Sequence, residues 1–266
     1  MRRRLTRRQR ARAVRWTQYI VLIAAVATFA AAADWVRIRE AFFDVEIIRD
    51  LFPEMLTVAL KNTLLYTVCA FSFGLVLGLV LALMRLSPVL PYRGLATVYI
   101  EFFRGVPALL VLIAFGYGIP VALNTEVPGG LVGTITVALG LVAAAYIAET
   151  LRAGIQAVPR AQMEAARSLG MSHARAMVSI ILPQAFRIIL PPLTNELIVL
   201  TKDSSLVYLL GVTLPTRELA KFGRDALNQY VSMTPILVAG LCYLIITVPL
   251  GYLVRRLEAR QQAQAR

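Results

Sequence analysis

Lysine, histidine and cysteine are scarce in this chain of 266 residues, and each scarcity excludes a kind of chemistry. None of the three lysines, Lys61, Lys202 and Lys221, follows a glycine. A phosphate loop needs a Gly-Lys-Ser/Thr step whose lysine reaches the nucleotide phosphates, so any ATP used with this chain is expected to be hydrolysed elsewhere. His173 is the only histidine, and Cys69 and Cys242 each lie inside an apolar run. Neither cysteine has a ligand-like neighbour; they read as small core residues, and no metal, cofactor or thiol site is expected. The chain is not expected to be an enzyme by itself. Acids are also outnumbered, 15 against 28 lysines and arginines, for a net charge of +13. The charges fall between and beyond the apolar runs, which argues against nucleic acid as the partner.

Apolar residues are what the chain has in plenty. They make up 58% of it, with a mean hydropathy of +0.69. A soluble domain holds about 45–50% even with glycine counted. Runs of bilayer-spanning length, roughly 20 residues, recur. Backbone groups in lipid must be satisfied within the segment, so the expected fold class is all-α: a polytopic transmembrane helical bundle of about six spans.

Residues 2–15 carry eight arginines and no acid, followed by an apolar run over 16–33. A cleavable signal peptide has this layout too; the length of the run favours a retained anchor. Residues 34–54 are mixed and net acidic, suiting an external linker, partly helical along the membrane surface. Further runs are expected over 55–84, where Gly74 and Gly78 are spaced as in a small-residue packing face, and over 98–120, 131–148, 180–202 and 232–254. Pro183, Pro191 and Pro192 are expected to break the fifth of these six runs, and 203–231 to be irregular. With the N-terminus in the cytoplasm, 85–97, 149–179 and 255–266 fall inside and hold the excess of arginine. Both termini are therefore expected to be cytoplasmic.

One polar, basic segment interrupts this pattern. Pro159 suits the first turn of a helix, Glu164 through Leu169 are helix-compatible, and Gly170 can take the left-handed conformation that ends it. Ser172 can cap a second helix from His173. A helix lying on lipid needs a large apolar face, and 160–170 offers only Met163 and Leu169. Docking into a protein groove is the better reading, with the alanines keeping one face flat.

The spacing is Glu164-Ala165-Ala166, three residues, Gly170, nine residues, Ile180, one residue, Leu182-Pro183. It resembles, without a gap, the EAA signature of bacterial ABC-transporter permeases. The flanks Y-I-E-F-F-R-G-V-P at 99–107, A-Y-I-A-E-T-L-R-A-G-I-Q-A-V-P at 145–159 and T-K-D-S-S-L at 201–206 look like the polar amino-acid uptake group of that family. The resemblance covers about 55–255 and implies the type I ABC importer permease fold in the bacterial inner membrane. It implies a coupling segment at 159–182, with Glu164, Ala165, Ala166 and Gly170 meeting an ATPase subunit. Implied partners are ABC ATPase subunits in the cytoplasm, an extracytoplasmic solute-binding protein, a second permease subunit (the same or a similar chain) and a polar amino acid. The chain departs from the shortest members in residues 1–54, an extra anchor and linker, and ends in a basic tail, 256–266.

Ionisable groups at mid-bilayer are costly and should face a pore or a partner. Asn195, Glu196, Asp203 and Ser204, after the expected break, are candidates to line a substrate pathway. The alternative is structural ion pairing, Glu196 with Arg187 and Asp203 with Lys202. Glu101 with Arg104 and Glu149 with Arg152 are expected as helical neighbours near the membrane surface. The competing function is an ion-gradient-driven secondary transporter, which needs no ATPase and often shows paired broken helices.

Overall fold

A computed structural model describes residues 7–264; residues 1–6, including Arg2, Arg3 and Arg4 of the basic start, and 265–266 of the tail lie outside the described residues. The architecture is all-α, with no strand among the described residues. Five helices are long and apolar enough to cross a membrane, and six if one bent pair counts as a span, in line with the number expected.

The first helix, α1 (Arg7–Ala32), holds the N-terminal apolar run, and no residue of its apolar stretch is buried in the bundle. The net-acidic segment that follows forms two capped helices. Asp34 accepts from the Arg37 N–H (3.1 Å) to start α2 (Trp35–Phe42), and Asp44 accepts from the Glu46 and Ile47 N–H groups (2.9 and 3.2 Å) to start α3 (Val45–Glu54). Each caps donors that the first helical turn leaves unsatisfied. The second of these helices continues through a π-helical turn (Met55–Leu60) into α4 (Lys61–Leu86). Pro53 removes a main-chain donor just before that turn, and wider turns are a common response to such a gap.

The packed centre is α4 against α8 (Gly130–Gln156). A Cβ on Gly74 would sit 3.0 Å from the Ala143 Cβ, and one on Gly78 3.0 Å from the Ala144 carbonyl oxygen. The small-residue spacing lets the two backbones approach.

The third apolar run is not one straight span. It divides into α5 (Leu90–Gly105), α6 (Ala108–Ile113) and, beyond a π-helical turn, α7 (Ile119–Leu123), with a 101° bend between Leu90–Gly105 and Ala108–Leu123. Proline clashes with a helical residue before it, so Val106 is extended (φ −97°, ψ 131°) and Pro107 opens a new helix.

After α8 come α9 (Arg160–Ser168), α10 (His173–Ala176), a π-helical turn (Met177–Ile181) and α11 (Leu182–Asp203). The expected break in this run is absent. Pro183 lies in the first turn of α11, where its missing N–H costs little, and the helix passes through Pro191 and Pro192. Side chains satisfy main-chain carbonyls along it: Thr194 Oγ1 donates to Leu190 O (2.8 Å), and the Gln261 amide donates to Arg187 O.

The stretch expected to be irregular holds 3₁₀ turns (Ser204–Leu210, Leu214–Thr216) and an amphipathic helix, α12 (Leu219–Tyr230). Leu219, Phe222 and Ala226 are buried against Leu51, Met55 and Val238. Glu218 caps it, accepting from the Ala220 and Lys221 N–H groups (2.5 and 2.8 Å) and from the Tyr243 hydroxyl (3.1 Å). Thr63 of α4 accepts the Leu219 N–H (3.1 Å), and Asn62 donates to the Pro215 and Arg217 carbonyls (2.9 and 3.0 Å). The last helix, α13 (Thr234–Gln264), begins where Met233 N and Ser232 Oγ both donate to Ala41 O (3.0 and 3.1 Å), fastening the α2–α3 elbow to the bundle.

Candidate functional site

Two places collect the polar residues that a greasy bundle has least reason to keep. The first is the capped helix α9. Pro159 has ψ 132°, so it flanks the helix and Arg160 opens it, one residue later than expected. At the other end Gly170 has φ +82°; its N–H donates to Arg167 O (3.0 Å) and that of Met171 to Ala166 O (3.1 Å). This bond pair is a Schellman motif, in which a left-handed glycine closes the helix. Ser172 Oγ accepts from the Arg175 N–H (3.3 Å) and starts α10, as expected.

Ala165 and Ala166 of this helix part company. Ala166 is buried, and Met163 packs inward against the cluster of Val158, Ile181, Ala185 and Ile189. Glu164, Ala165 and Gly170 are exposed, as is Leu169 at 84%. The outward face is thus Glu164, Ala165, Leu169 and Gly170, while Ala166 and Met163 seat the helix on its own chain. Leu169, noted in the sequence only as one of two apolar residues of the segment, lies on this exposed face beside the glycine.

At the end of α8 that leads into this helix, three side chains of α8 itself are tied together. Arg152 Nε donates to Glu149 Oε2 (2.9 Å), its Nη2 to the other carboxylate oxygen, and its Nη1 to the Gln156 amide oxygen. That pairing is the one expected. Arg104 lies over the Tyr146 ring, 5.7 Å from its centroid, and forms no ion pair with Glu101 among the described residues.

The second place is a cleft of about 560 Å³ at the α5–α6 bend. Arg104 and Tyr146 line one side, and Asn195, Glu196 and Asp203 the other. Glu196 and Asp203 are seven residues apart, two helical turns, and so share a face of α11. Neither is ion-paired among the described residues, so the alternative pairs with Arg187 and Lys202 are not formed. Ser204 is buried, donates to Thr201 O (2.7 Å) and does not line the cleft. Tyr146, not singled out in the sequence, joins the site because the bend brings α5 to α8. With carboxylates, an amide and a guanidinium across one opening, the cleft suits a small solute carrying both charges. Among the described residues no group of three histidine, cysteine or acidic side chains is placed to hold a metal ion.

A bundle of membrane-spanning helices with a polar cleft inside and a capped, outward-facing helix at one end belongs to the transporter class. Residues 74–262 match the family described as binding-protein-dependent transport system inner membrane component. The chain is 39% identical over 217 residues to the probable glutamine ABC transporter permease protein GlnM of Bacillus subtilis, covering 82% of this chain and 97% of that one. It is 39% identical over 223 residues to the glutamate/aspartate import permease protein GltK of Escherichia coli, covering 82% and 98%. A crystal structure of an amino acid ABC transporter with histidines superposes with a TM-score of 0.73 at 34% identity, covering 82% and 98%. The chain belongs to the family of binding-protein-dependent transport system inner membrane components, and its place is the inner membrane. The secondary-transporter alternative expects paired broken helices; among the described residues only the pair Leu90–Gly105 and Ala108–Leu123 is broken, and the relatives named above are ABC permeases.

Proposed function

We propose that this chain is the permease subunit of an ATP-driven importer of a polar amino acid. The observation that carries the reading is the outward face of α9, where Glu164, Ala165, Leu169 and the left-handed Gly170 stand exposed beyond the bundle. An ATPase subunit on the cytoplasmic side takes that face into a groove. Residues 159–182 form the coupling segment, with Ala166 holding α9 to its own bundle. Closure of two ATPase subunits on ATP pushes α9. The short connection 157–159 carries the movement into α8, whose end is stiffened by Glu149, Arg152 and Gln156, and the π-helical turn carries it into α11. Both helices line the polar cleft. The amino acid's ammonium meets Glu196 and Asp203, its carboxylate meets Arg104, and Asn195 serves either group. A solute-binding protein delivers it from outside, and a second permease, the same chain or a similar one, completes the pathway. Both termini are cytoplasmic; 1–54 is an anchor and linker, 55–255 the permease body and 256–266 a basic tail.

The experiment is co-purification with the ATPase subunit, paired with uptake in proteoliposomes carrying the binding protein. Glu164→Lys is expected to abolish association and ATP-dependent uptake while leaving thermal stability unchanged, because Glu164 is exposed. Full uptake by that variant, or a pure permease that transports without an ATPase, sinks the reading.

A further inference from the structure

We infer a site for the phosphate of an anionic phospholipid at the foot of the bundle, between the α4–α5 turn and the end of α8. A cleft of about 500 Å³ there is lined by Arg85, Arg93 and Arg152, with Ser87 and Gln156 beside them. The three guanidinium groups come from three helices: the last turn of α4, the first turn of α5 and the end of α8. Arg152 is held by Glu149 and Gln156, whereas Arg85 and Arg93 form no ion pair among the described residues. No acid lines the cleft. Two guanidinium groups without an ion pair, beside a third already held by Glu149 and Gln156, make one opening that suits a phosphate.

The surroundings favour a lipid over a dissolved anion or a protein. Exposed Leu83, Leu90, Tyr92 and Leu95 flank the arginines on α4 and α5. Apolar side chains and a tyrosine at that level mark the hydrocarbon edge, where headgroup phosphates lie and acyl chains can run along the helices. Basic pockets between membrane helices at this depth hold anionic headgroups. A protein partner needs a water-exposed polar rim, which this lipid-facing border does not offer. Gln156 also lines the opening under α9, beside Val158 and Arg160, so a bound phosphate abuts the start of the coupling segment. The site depends on no particular transported solute.

The test uses the full chain in nanodiscs of phosphatidylcholine with rising phosphatidylglycerol, with retained lipid counted by native mass spectrometry. Phosphatidylglycerol is expected to be retained over phosphatidylcholine. Arg85→Gln and Arg93→Gln should each lower its retention about fivefold. Arg256→Gln in the basic tail should leave it unchanged, and Arg85→Lys with Arg93→Lys, which keeps the charge without the planar fork, should retain more of it than Arg85→Gln with Arg93→Gln, separating lost charge from lost fold. Equal retention of the two lipids overturns the proposal, as does equal loss in the tail variant. Millimolar inorganic phosphate binding the detergent-solubilised chain at the same arginines assigns the site to a free anion instead. Loss of the ATPase subunit from the Arg85 and Arg93 variants, with lipid retention intact, assigns it to a protein contact. Either result overturns the lipid site without touching the importer reading.

Discussion

The side-chain amide of Gln261 donates to the main-chain carbonyl of Arg187. That carbonyl lies four residues before Pro191, which has no N–H to give it. The final helix therefore supplies a donor that α11 cannot make for itself, and it does so between the coupling segment and the polar cleft. The bond is exposed, so water can replace it in part. Gln261→Ala is expected to cost roughly 0.5–1.5 kcal/mol, read as a lowered midpoint of thermal unfolding in detergent. Gln261→Glu should cost at least as much, since a carboxylate facing a carbonyl has no proton to offer. Wild-type midpoints in both variants would show that the contact carries no stability.

Gly170 is held at φ +82° by the two bonds of its Schellman motif, and a Cβ built there meets no neighbour. Space is therefore not the constraint; backbone conformation is. An L-residue in the left-handed region costs roughly 1–2 kcal/mol, a β-branched one most, and asparagine is tolerated best. Gly170→Val should loosen the end of α9 and reduce ATPase association several-fold. Gly170→Asn should retain at least half of it. A pull-down with the ATPase subunit separates the two, and equal retention would remove the turn from the coupling mechanism.

Much of this segment was legible in the sequence because caps and glycines act locally. Ser172 and Gly170 need only their immediate neighbours to do what they do. What could not be read depends on which way a helix rolls when it packs. Ala165 and Ala166 are chemically identical, yet one faces outward and the other is buried against the chain's own bundle. The same limit hid α12, whose buried face is Leu219, Phe222, Gly223 and Ala226, with Tyr230 packed beside it. Its cap is a glutamate that looks like a surface residue until α4 and α13 close over it. Proline was a clear signal with an unclear outcome. The chain turns by 101° at Pro107, whereas α11 continues through Pro191 and Pro192, and a side chain from α13 meets the carbonyl that Pro191 frees.

Glu218 is fully buried, and burial raises its carboxyl from the ordinary 4.5 to about 7. The Ala220 and Lys221 N–H groups, the Tyr243 hydroxyl and the Lys221 charge favour the ionised form but do not outweigh the loss of water. Tyr66 from α4 and Arg217, paired with Glu54, complete its titratable surroundings. A carboxyl raised in the folded state binds more protons folded than unfolded. Its contribution is therefore complete below about pH 4.5 and lost as pH rises through about 7. The span is on the order of 3 kcal/mol at 1.36 kcal/mol per unit. Unfolding midpoints of the wild type should fall across that window, and those of Glu218→Gln, which keeps one acceptor oxygen for the cap but does not titrate, should stay level across it, at a lower value for the N–H bond lost. Parallel curves for the two proteins would remove Glu218 as the source.

Glu196 and Asp203 share a face of α11, and both reach the cleft opposite Arg104 and Tyr146. Neither has an ion pair among the described residues, and under the proposed function a solute's ammonium takes that place. A hydrogen bond to a charged group is worth about 1.5–3 kcal/mol, or roughly ten- to a hundredfold in affinity. Glu196→Gln and Asp203→Asn should each raise KM for amino-acid uptake by that order while the permease still assembles with its ATPase. Arg104→Gln should do the same from the carboxylate end, and it should weaken a zwitterionic amino acid more than its amide derivative, which lacks the negative charge. Lys202, one residue from Asp203 yet absent from the cleft lining, is the control: Lys202→Gln should leave KM unchanged. Unchanged KM in both acid variants would take the cleft out of the pathway, with the coupling role of α9 still to be judged on its own test.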